Sequence, residues 1–280
     1  MEEGMETSVA QRPGGAGAAP GTGAGEPMVA YRGVWKSFDV PVLTGVELEV
    51  RRGETLSVVG PSGTGKSVLL KTTIGLIEPD LGSVRVDGEE VVGAGKSVLE
   101  RVRRKAGYVF QNAALFDSQT VFENVAGGLG EEELAALDRR EVLERVVDAL
   151  EHVNLEPRAV LGKLPSELSG GMRKRVGLAR AIVGRPEILL YDEPVTGLDP
   201  VNAATVHRLV ARLAEELRVT SILVTHDIDG ALWVSDRVAL LAGGRIRFVG
   251  TAEEFRQSDH ELVRAFLDRE RAVGIPAGLI

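Results

Sequence analysis

The chain has 280 residues, 44% of them hydrophobic, and a formal net charge of −8 at pH 7. The apolar fraction is ample for a buried core, and the acidic balance argues against nucleic acid as an obligate partner. The absence of cysteine excludes disulfides and cysteine-ligated zinc. No apolar run approaches the roughly 20 residues of a membrane helix, and the acidic N-terminus resembles neither a signal peptide nor a transit peptide. We therefore expect a soluble cytoplasmic protein that reaches a membrane only through a partner.

The first 27 residues are mostly Gly, Ala, Pro and polar residues without apolar periodicity. Such a segment cannot bury enough surface to offset its ordering entropy, so residues 1–27 are predicted to form a disordered tail. Folded structure is expected from Met28, with strands over 29–35 and 46–50 around a turn that contains Pro41. Phe38 falls on the loop between these strands, where by itself it is typical of a packed aromatic residue.

A third, apolar strand over Thr55–Val59 leads into a glycine-rich loop, and a helix is predicted from Val68. The loop fits the phosphate-binding pattern G-x-x-x-x-G-K-[ST] at every fixed position and consists of Gly60, Pro61, Ser62, Gly63, Thr64, Gly65, Lys66 and Ser67. Its glycines let backbone N–H groups turn inward, and the helix N-terminus adds a positive dipole. Lys66 is expected to reach the β- and γ-phosphates, and the Ser67 hydroxyl to ligate magnesium. The strand–loop–helix order favours a nucleoside triphosphate site over a chance glycine-rich turn.

A second stretch, Gly95-Lys96-Ser97, imitates the end of a phosphate loop. It has Glu90 where the first glycine is required, and no apolar strand leads directly into it, so we interpret it as a coincidental match. A helix with a basic, solvated face is predicted over 99–105. The strand predicted over 107–110 then delivers Gln111.

A helical insertion is predicted over about 112–168, because capping boxes at Thr120 and Asp138 begin helices there. His152, on the second of these helices, is interpreted as a surface residue rather than a ligand. After the last strands, residues 251–270 are predicted to form one or two helices.

Apolar strands return at Ile188–Tyr191, which runs into Asp192 and Glu193, and at Ser221–Thr225, which runs into His226. Strands of this kind alternating with helices predict an α/β fold with a mainly parallel sheet covered on both faces. Ligands of such sheets bind at the carboxyl ends of the strands, which is where these polar residues fall.

Carboxylates that directly follow a hydrophobic strand are costly to bury unless a cation or hydrogen bonds compensate them. We interpret Asp192 as a magnesium ligand acting through water, since that ion retains several waters. Glu193, one residue on, is expected to point elsewhere and to polarise an attacking water as general base. His226 is the candidate that senses the phosphate. The competing interpretations are a solvated acidic strand end and a structural histidine.

Leu168–Met172 is a second glycine-rich helix start, with Ser169 as N-cap of a helix predicted to run to about Val183 and to be closed by Gly184. It is physically another anion cradle, or else a loop that needs flexible backbone. One nucleotide does not need two cradles from one subunit. A dimer in which each subunit's second cradle closes on its neighbour's nucleotide would resolve this. A further helix is expected to begin at Asp199 as N-cap.

Six of these motifs occur in the order found in ATP-binding cassette (ABC) ATPase subunits: the phosphate loop over 60–67, Gln111, Leu168–Met172, Ile188–Glu193, Gly197–Asp199 and His226. The resemblance covers about residues 28–250. It implies a P-loop NTPase fold with a mainly parallel sheet, an antiparallel β part and an inserted helical subdomain over about 112–168, followed by a helical extension over 251–280. It also implies ATP and Mg2+ as ligands, a homodimer of ATPase subunits and an integral membrane permease as partner. The resemblance implies that Phe38 stacks on adenine, that Lys66, Glu193 and His226 are catalytic, and that His226 contacts the γ-phosphate. It implies magnesium contact for Ser67, Gln111 and Asp192. It also implies that the partner subunit's ATP is contacted by Ser169, Gly170, Gly171 and Met172, and that Asp199 lies at the dimer seam.

A finer resemblance links three stretches to ATPases of the bacterial Mla/Mce phospholipid transporters: Gly60–Leu70, Ala114–Val125 and Ser169–Val176. Met172 departs from the glutamine common in cassette ATPases but suits this subgroup. Val195 stands where threonine is usual, without an essential polar role. The resemblance implies an ATPase that drives phospholipid movement across the bacterial envelope, on the cytoplasmic face of the inner membrane, with a lipid-binding MCE-type protein as a further partner.

Three alternatives compete with this assignment. An importer ATPase for a small polar solute would use the same chemistry with another permease. A non-transport cassette ATPase acting on DNA or ribosomes usually carries two cassettes or long coiled coils, and neither is present in this sequence. An ATP-dependent scaffold would need binding rather than hydrolysis.

Overall fold

The computed structural model describes residues 25–273, with side chains described through residue 268. The predicted tail over 1–27 therefore lies almost wholly outside the described residues, as do the last seven residues of the predicted extension. The strands are β1 (Val29–Ser37), β2 (Pro41–Val50), β3 (Thr55–Val59), β4 (Leu81–Val86), β5 (Glu89–Glu90), β6 (Ala106–Val109), β7 (Ile188–Asp192), β8 (Thr220–Thr225), β9 (Arg237–Ala242) and β10 (Arg245–Thr251).

The strands form two sheets. One is antiparallel with the order β2-β1-β4-β5, and the other has the order β10-β9-β3-β8-β7-β6. In the second sheet β9, β3, β8, β7 and β6 run parallel, and only β10 pairs antiparallel to its neighbour. The α/β fold with a mainly parallel sheet and an antiparallel part is confirmed.

Helices cover both faces of the parallel sheet, and α3 to α7 all lie between β6 and β7. The helices are α1 (Lys66–Thr72), α2 (Lys96–Lys105), α3 (Val121–Ala126), α4 (Glu131–Ala136), α5 (Arg139–His152), α6 (Pro157–Val160), α7 (Gly170–Ile182), α8 (Pro200–Leu217), α9 (Ile228–Val234), α10 (Ala252–Gln257) and α11 (Glu261–Val273). Short 3-10 turns at Gly127–Leu129 and Pro165–Glu167 join the insertion's helices. The exact limits of this subdomain stay a prediction.

Helix starts follow the capping chemistry of the sequence. Thr120 and Asp138 each form the predicted capping box, accepting from the backbone N–H three residues on. Asp199 accepts from two backbone N–H groups at the start of α8, whose first residue is Pro200. Lys96 begins α2 with 91% of its side chain exposed, as expected for a coincidental motif match.

Two local predictions were wrong. Pro41 is not in the turn but begins β2, opposite Ser37, because the first residue of a strand can dispense with a backbone N–H. Gly184 does not close α7 in the left-handed region. Arg185 takes that conformation instead, with φ of 51°, and its N–H bonds the Ile182 carbonyl.

Buried apolar side chains form three clusters. One lies between the helical insertion and the β6–β7 side of the parallel sheet, around Val146, Val176 and Leu189. The second joins the antiparallel sheet to the parallel sheet and α1. The third packs α9, α10 and α11 on β9. Along residues 25–273, no helix combines the length and apolar character needed to cross a membrane.

Candidate active site

The polar residues predicted at strand ends lie along one edge of the parallel sheet. Register pairs Val109 with Tyr191, Asp192 with Val224, and Val59 with Thr225, so β6, β7, β8 and β3 end side by side. Gln111, Asp192, Glu193, His226 and Gly60 follow directly from these ends. The structure thus brings together the groups that the sequence places in four separate segments.

The phosphate loop over 60–67 crosses from β3 to α1 with little room for side chains at two of its three glycines. A Cβ on Gly60 would lie 2.2 Å from the Leu241 carbonyl oxygen. Gly65 has φ of 95°, and a Cβ there would lie 2.7 Å from a methyl carbon of Val42. Lys66 is buried, and its Nζ donates to the Gly60 and Pro61 carbonyls at 2.7 and 3.1 Å. The Lys66 side chain therefore folds back onto the backbone of the phosphate loop.

Ser67 and Asp192 make a paired oxygen site beside this loop. The Ser67 hydroxyl donates to Asp192 Oδ1 at 2.6 Å, and the Tyr108 hydroxyl donates to Oδ2 at 2.9 Å. Burial, reinforced by the neighbouring carboxylate, raises the pKa of Tyr108, so its phenol remains a donor. Hard hydroxyl and carboxylate oxygens suit Mg2+. No group of three or more His, Cys, Asp or Glu side chains in residues 25–268 could hold a metal, so Mg2+ here would depend on phosphate oxygens as well.

Glu193 and Asp192, adjacent in the chain, have different hydrogen-bond partners. Its backbone is left-handed, with φ of 50°, a conformation that costs a non-glycine residue of order 1–3 kcal/mol. Its Oε2 lies 2.7 Å from His226 Nδ1 and accepts from the Thr196 hydroxyl at 3.2 Å, while Oε1 lies 3.9 Å from Lys66 Nζ. The carboxylate is buried but its histidine partner is half exposed. This arrangement can hold a proton acceptor beside a phosphate cradle.

Gln111 and Phe38 stand further out. The Gln111 side chain is exposed, and its backbone carbonyl accepts from Lys174 of α7. Burial lowers the pKa of Lys174. Phe38 follows β1 and is 59% exposed, so its ring is open to solvent. Lys36 Nζ lies over the ring, 5.5 Å from its centroid. The predicted packed alternative for Phe38 is wrong.

The second glycine-rich segment forms the start of α7. Ser169 caps the helix by accepting from the Met172 N–H at 3.2 Å, and both Ser169 and Gly170 are exposed. Gly171 is buried, and a Cβ there would lie 2.7 Å from Asn202 Oδ1. Asn202 in turn donates to Asp199. Asn202 therefore connects the start of α8 with Leu168–Met172, called the signature segment below.

Sequence reasoning missed three residues of this site. Tyr108 lies within an apolar strand, Lys174 within the helix after the signature, and Thr196 in the turn after the carboxylates. The register of β6 against β7 is the signal that could have found Tyr108: it pairs Tyr108 with Leu190, two residues before Asp192, so Tyr108 and Asp192 lie on the same face of the sheet. The other two act through tertiary contacts with no sequence signal.

Residues 43–196 match the family model described as ABC transporter. The methionine import ATP-binding protein MetN of Caulobacter vibrioides is 41% identical over 230 residues, which cover 81% of this chain and 68% of that relative. The sulfate/thiosulfate import ATP-binding protein CysA of the same organism is 42% identical over 231 residues, covering 81% and 65%. The intermembrane phospholipid transport system ATP-binding protein MlaF of Haemophilus influenzae is 36% identical over 236 residues, covering 84% and 88%.

Solved structures give the same grouping. A dimeric ATP-binding cassette in a post-hydrolysis state bound to ADP and Pi superposes with a TM-score of 0.74 at 32% identity, covering 80% of this chain and 99% of that one. The cassette cbiO1 from Clostridium perfringens, part of an ABC transporter complex, gives 0.73 at 27% identity and covers 88% and 100%. The fold of this chain is that of the ABC ATPase cassette.

Proposed function

We propose that this chain, which belongs to the ABC transporter family, is the ATPase subunit of a phospholipid transporter of the Mla/Mce type. Family membership makes it an ATPase that binds ATP with Mg2+ and couples hydrolysis to transport, as a cassette that dimerises and works with a membrane permease. The proposed part is the phospholipid substrate, a lipid-binding MCE-type partner and a place on the cytoplasmic face of the inner membrane. No nucleic acid takes part.

At the sheet edge we assign phosphate binding to the loop over 60–67, with Lys66 as its charged group. Ser67, Asp192 and Gln111 would hold Mg2+, which when bound neutralises charge on the phosphates. Ser67 and Asp192 support this assignment because their oxygens already face one another at 2.6 Å. Phe38 would stack on the adenine through its exposed ring.

Glu193 is assigned as the general base that takes a proton from the attacking water. Its support is its environment: His226 and Thr196 fix Oε2, and Lys66 lies on the side of Oε1. His226 is assigned to the γ-phosphate, since its ring is half exposed while Nδ1 is anchored on Glu193. A fixed carboxylate beside a phosphate cradle can accept a proton without first having to be positioned.

The second cradle is assigned to the ATP of a partner subunit. Ser169 and Gly170 are exposed at a helix N-terminus, where Ser169 caps α7. Gly171 and Met172 complete the segment, and Asp199 lies beside it at the dimer seam. Ser169→Arg should block turnover while the isolated monomer still binds ATP. Turnover by that variant would rule out a shared site.

The observation that carries the phospholipid assignment is the surface after Gln111. Arg180 of α7 donates to the Ala113 and Ala114 carbonyls at 2.7 Å each, and both alanines are left-handed. This strained turn leaves the Phe116 side chain 62% exposed, while the Phe116 backbone is bonded to Asn124. The surface is therefore built from the segment Ala114–Val125, one of the stretches that resemble the Mla/Mce ATPases, and is held by Arg180 of α7, which lies beyond the Ser169–Val176 stretch.

The aligned share of MlaF also supports this assignment, since 88% of that relative is covered. Import of a small polar solute is the second candidate, and the higher identities to MetN and CysA favour it. The two candidates share the ATPase chemistry and differ in the permease and its accessory protein. An experiment must therefore identify the partners.

The test is to purify the tagged full chain from native membranes in mild detergent and to identify the proteins and lipids that accompany it by mass spectrometry. A multi-span permease with a phospholipid-binding protein and bound phospholipid is the expected result. A permease with a soluble solute-binding protein would replace the proposal with the importer. Purification without a membrane protein would contradict both.

We propose that the permease binds the surface after Gln111, around Phe116, and two variants test this. Phe116→Ser should lose the permease and still bind ATP, because Phe116 lies outside the phosphate loop. Leu81→Ser is the matched control: Leu81 is 65% exposed but lies in β4 of the antiparallel sheet, so its permease content should match that of the unmodified chain. Equal retention by both variants would remove the segment after Gln111 as the docking surface.

A further inference from the structure

Below the catalytic edge, His207 of α8 is buried against the start of α9. Its exposed fraction is 7%, and its Nε2 has no hydrogen-bond partner in the described part of the chain. The nearest acceptor is Asp227 Oδ2 at 3.5 Å. A buried nitrogen without a full hydrogen bond is uncommon and calls for a physical explanation.

The neighbouring helix is shaped around this imidazole. A Cβ on Gly230 of α9 would lie 2.0 Å from His207 Cε1 and 2.3 Å from Nε2. Glycine at 230 therefore lets the ring enter the α8–α9 interface and face Asp227. A hydrophobic side chain at 207 could fill this space, but it would leave Asp227 without its partner.

Asp227 is held tightly on its other sides. Its Oδ1 accepts from the Gly230 N–H at 3.0 Å as the N-cap of α9, and its own N–H donates to the Thr225 hydroxyl at 3.0 Å. These bonds close a turn around His226, the preceding residue in the chain, whose Nδ1 lies 2.7 Å from Glu193. Because the turn is closed on both sides, a displacement of Asp227 also displaces His226.

On its own side, His207 belongs to the helix that begins at the proposed dimer seam. Asp199 caps α8, and His207 follows eight residues later, about 12 Å along a rigid helix. Among the described residues, Asp227 is the charged group that faces the ring. The ring therefore connects the element that carries Asp199 with the turn that carries His226.

We propose that His207 is a positioning residue for ATP hydrolysis: its Nε2–H and Asp227 fix α9 relative to α8 and so place His226 against Glu193. A shift of about half an ångström would complete the hydrogen bond, within the range of helix movements at subunit interfaces. The inference rests on the proposed role of His226, and it assigns no contact between His207 and the nucleotide.

The test is steady-state ATP turnover by the full chain. His207→Leu should lower kcat about threefold to tenfold and leave the KM for ATP unchanged, since it removes the Nε2 contact with Asp227, which lies away from the nucleotide. His207→Gln keeps a donor and should recover most of kcat. Asp227→Asn keeps the N-cap, and in combination with His207→Leu it should cost no more than the histidine variant alone.

Two controls separate the possible failures. His152→Leu alters a histidine on α5 whose ring contacts Asp148 of the same helix, and it keeps the backbone carbonyl that accepts from Arg212, so it should leave kcat unchanged. His226→Ala tests the proposed site: normal turnover in that variant would overturn the role of His226. An inactive His226→Ala together with a normal kcat in His207→Leu would overturn the inference about His207 and leave the role of His226 intact. The inference about His207 would also be wrong if the kcat losses of His207→Leu and Asp227→Asn were additive in the double variant.

Discussion

Tyr108 allows the magnesium site to be tested without altering a proposed ligand. Its hydroxyl donates to Asp192 Oδ2 at 2.9 Å within a buried strand, and Ser67 holds the other oxygen. Tyr108→Phe removes this donor and creates no cavity. A hydrogen bond to a charged group contributes about 1.5–3 kcal/mol, so the melting temperature should fall by roughly 3–12 °C.

The variant should also weaken magnesium dependence. Without Tyr108, the Asp192 carboxylate keeps only the Ser67 hydroxyl as an anchor. Loss of an outer hydrogen bond to a metal ligand typically weakens metal affinity 10–100-fold, and we expect about tenfold here. The assay is ATP turnover against Mg2+ concentration at fixed ATP, together with the melting temperature measured with and without Mg2+-ATP.

Tyr31→Phe is the matched control. The Tyr31 hydroxyl is buried and bonds the Thr73 hydroxyl at 2.6 Å, away from both carboxylates. It should cost about 0.5–1.5 kcal/mol of stability and leave the magnesium dependence unchanged. Equal magnesium curves for Tyr108→Phe and Tyr31→Phe would refute the reasoning and make Tyr108 a purely structural residue.

Three further outcomes follow from the site and its surroundings. Glu193→Gln should reduce single-turnover hydrolysis about 10²–10⁴-fold and leave an ATP-bound dimer on size exclusion, whereas turnover within twofold of normal would remove Glu193 as the base. Gly171→Val should lower the melting temperature by the equivalent of about 1–3 kcal/mol, because the new Cβ would meet Asn202. Gly170→Ala is the control and should be tolerated, because its Cβ would lie 4.0 Å from the nearest side chain. Equal losses of stability in the two variants would exclude this steric explanation. Burial lowers the pKa of His207 below its usual value of 6.5, so between that value and the lower folded pKa the unfolded chain binds a proton that the folded chain does not. The normal chain should therefore lose stability relative to His207→Gln between about pH 7 and pH 5 in urea unfolding, and parallel pH curves would contradict a buried neutral histidine.

The strand ends were predictable because apolar strands in a parallel sheet leave little choice of where polar residues go. Asp192, His226 and the phosphate loop each directly follow such a strand, and the sheet register brings them together. Capping boxes such as the one at Thr120 were equally accessible, since their bonds span only three residues. Local chemistry decided these elements.

Contacts between distant segments could not be read in the same way. Pro41 looks like a turn residue, but pairing of β2 with β1 makes it the first residue of a strand. Glycine at position 184 is typical of a helix end, but Arg185 is the residue that adopts the left-handed conformation. The Arg185 N–H donates to the Ile182 carbonyl, so the turn closes one residue later than predicted. Tertiary packing outweighs intrinsic preference at such positions.

Two of the motifs, the signature segment and Asp199, begin helices that carry residues facing the catalytic edge. Lys174 bonds the Gln111 carbonyl from the signature helix, and His207 faces Asp227 from the helix that Asp199 begins. Lys174 lies five positions after the N-cap Ser169, and His207 lies eight positions after the N-cap Asp199, each on the helix that its N-cap begins. A rigid helix carries a displacement at its N-terminus to that distance, so a partner subunit that moves these N-termini changes the positions of Gln111 and His226 together.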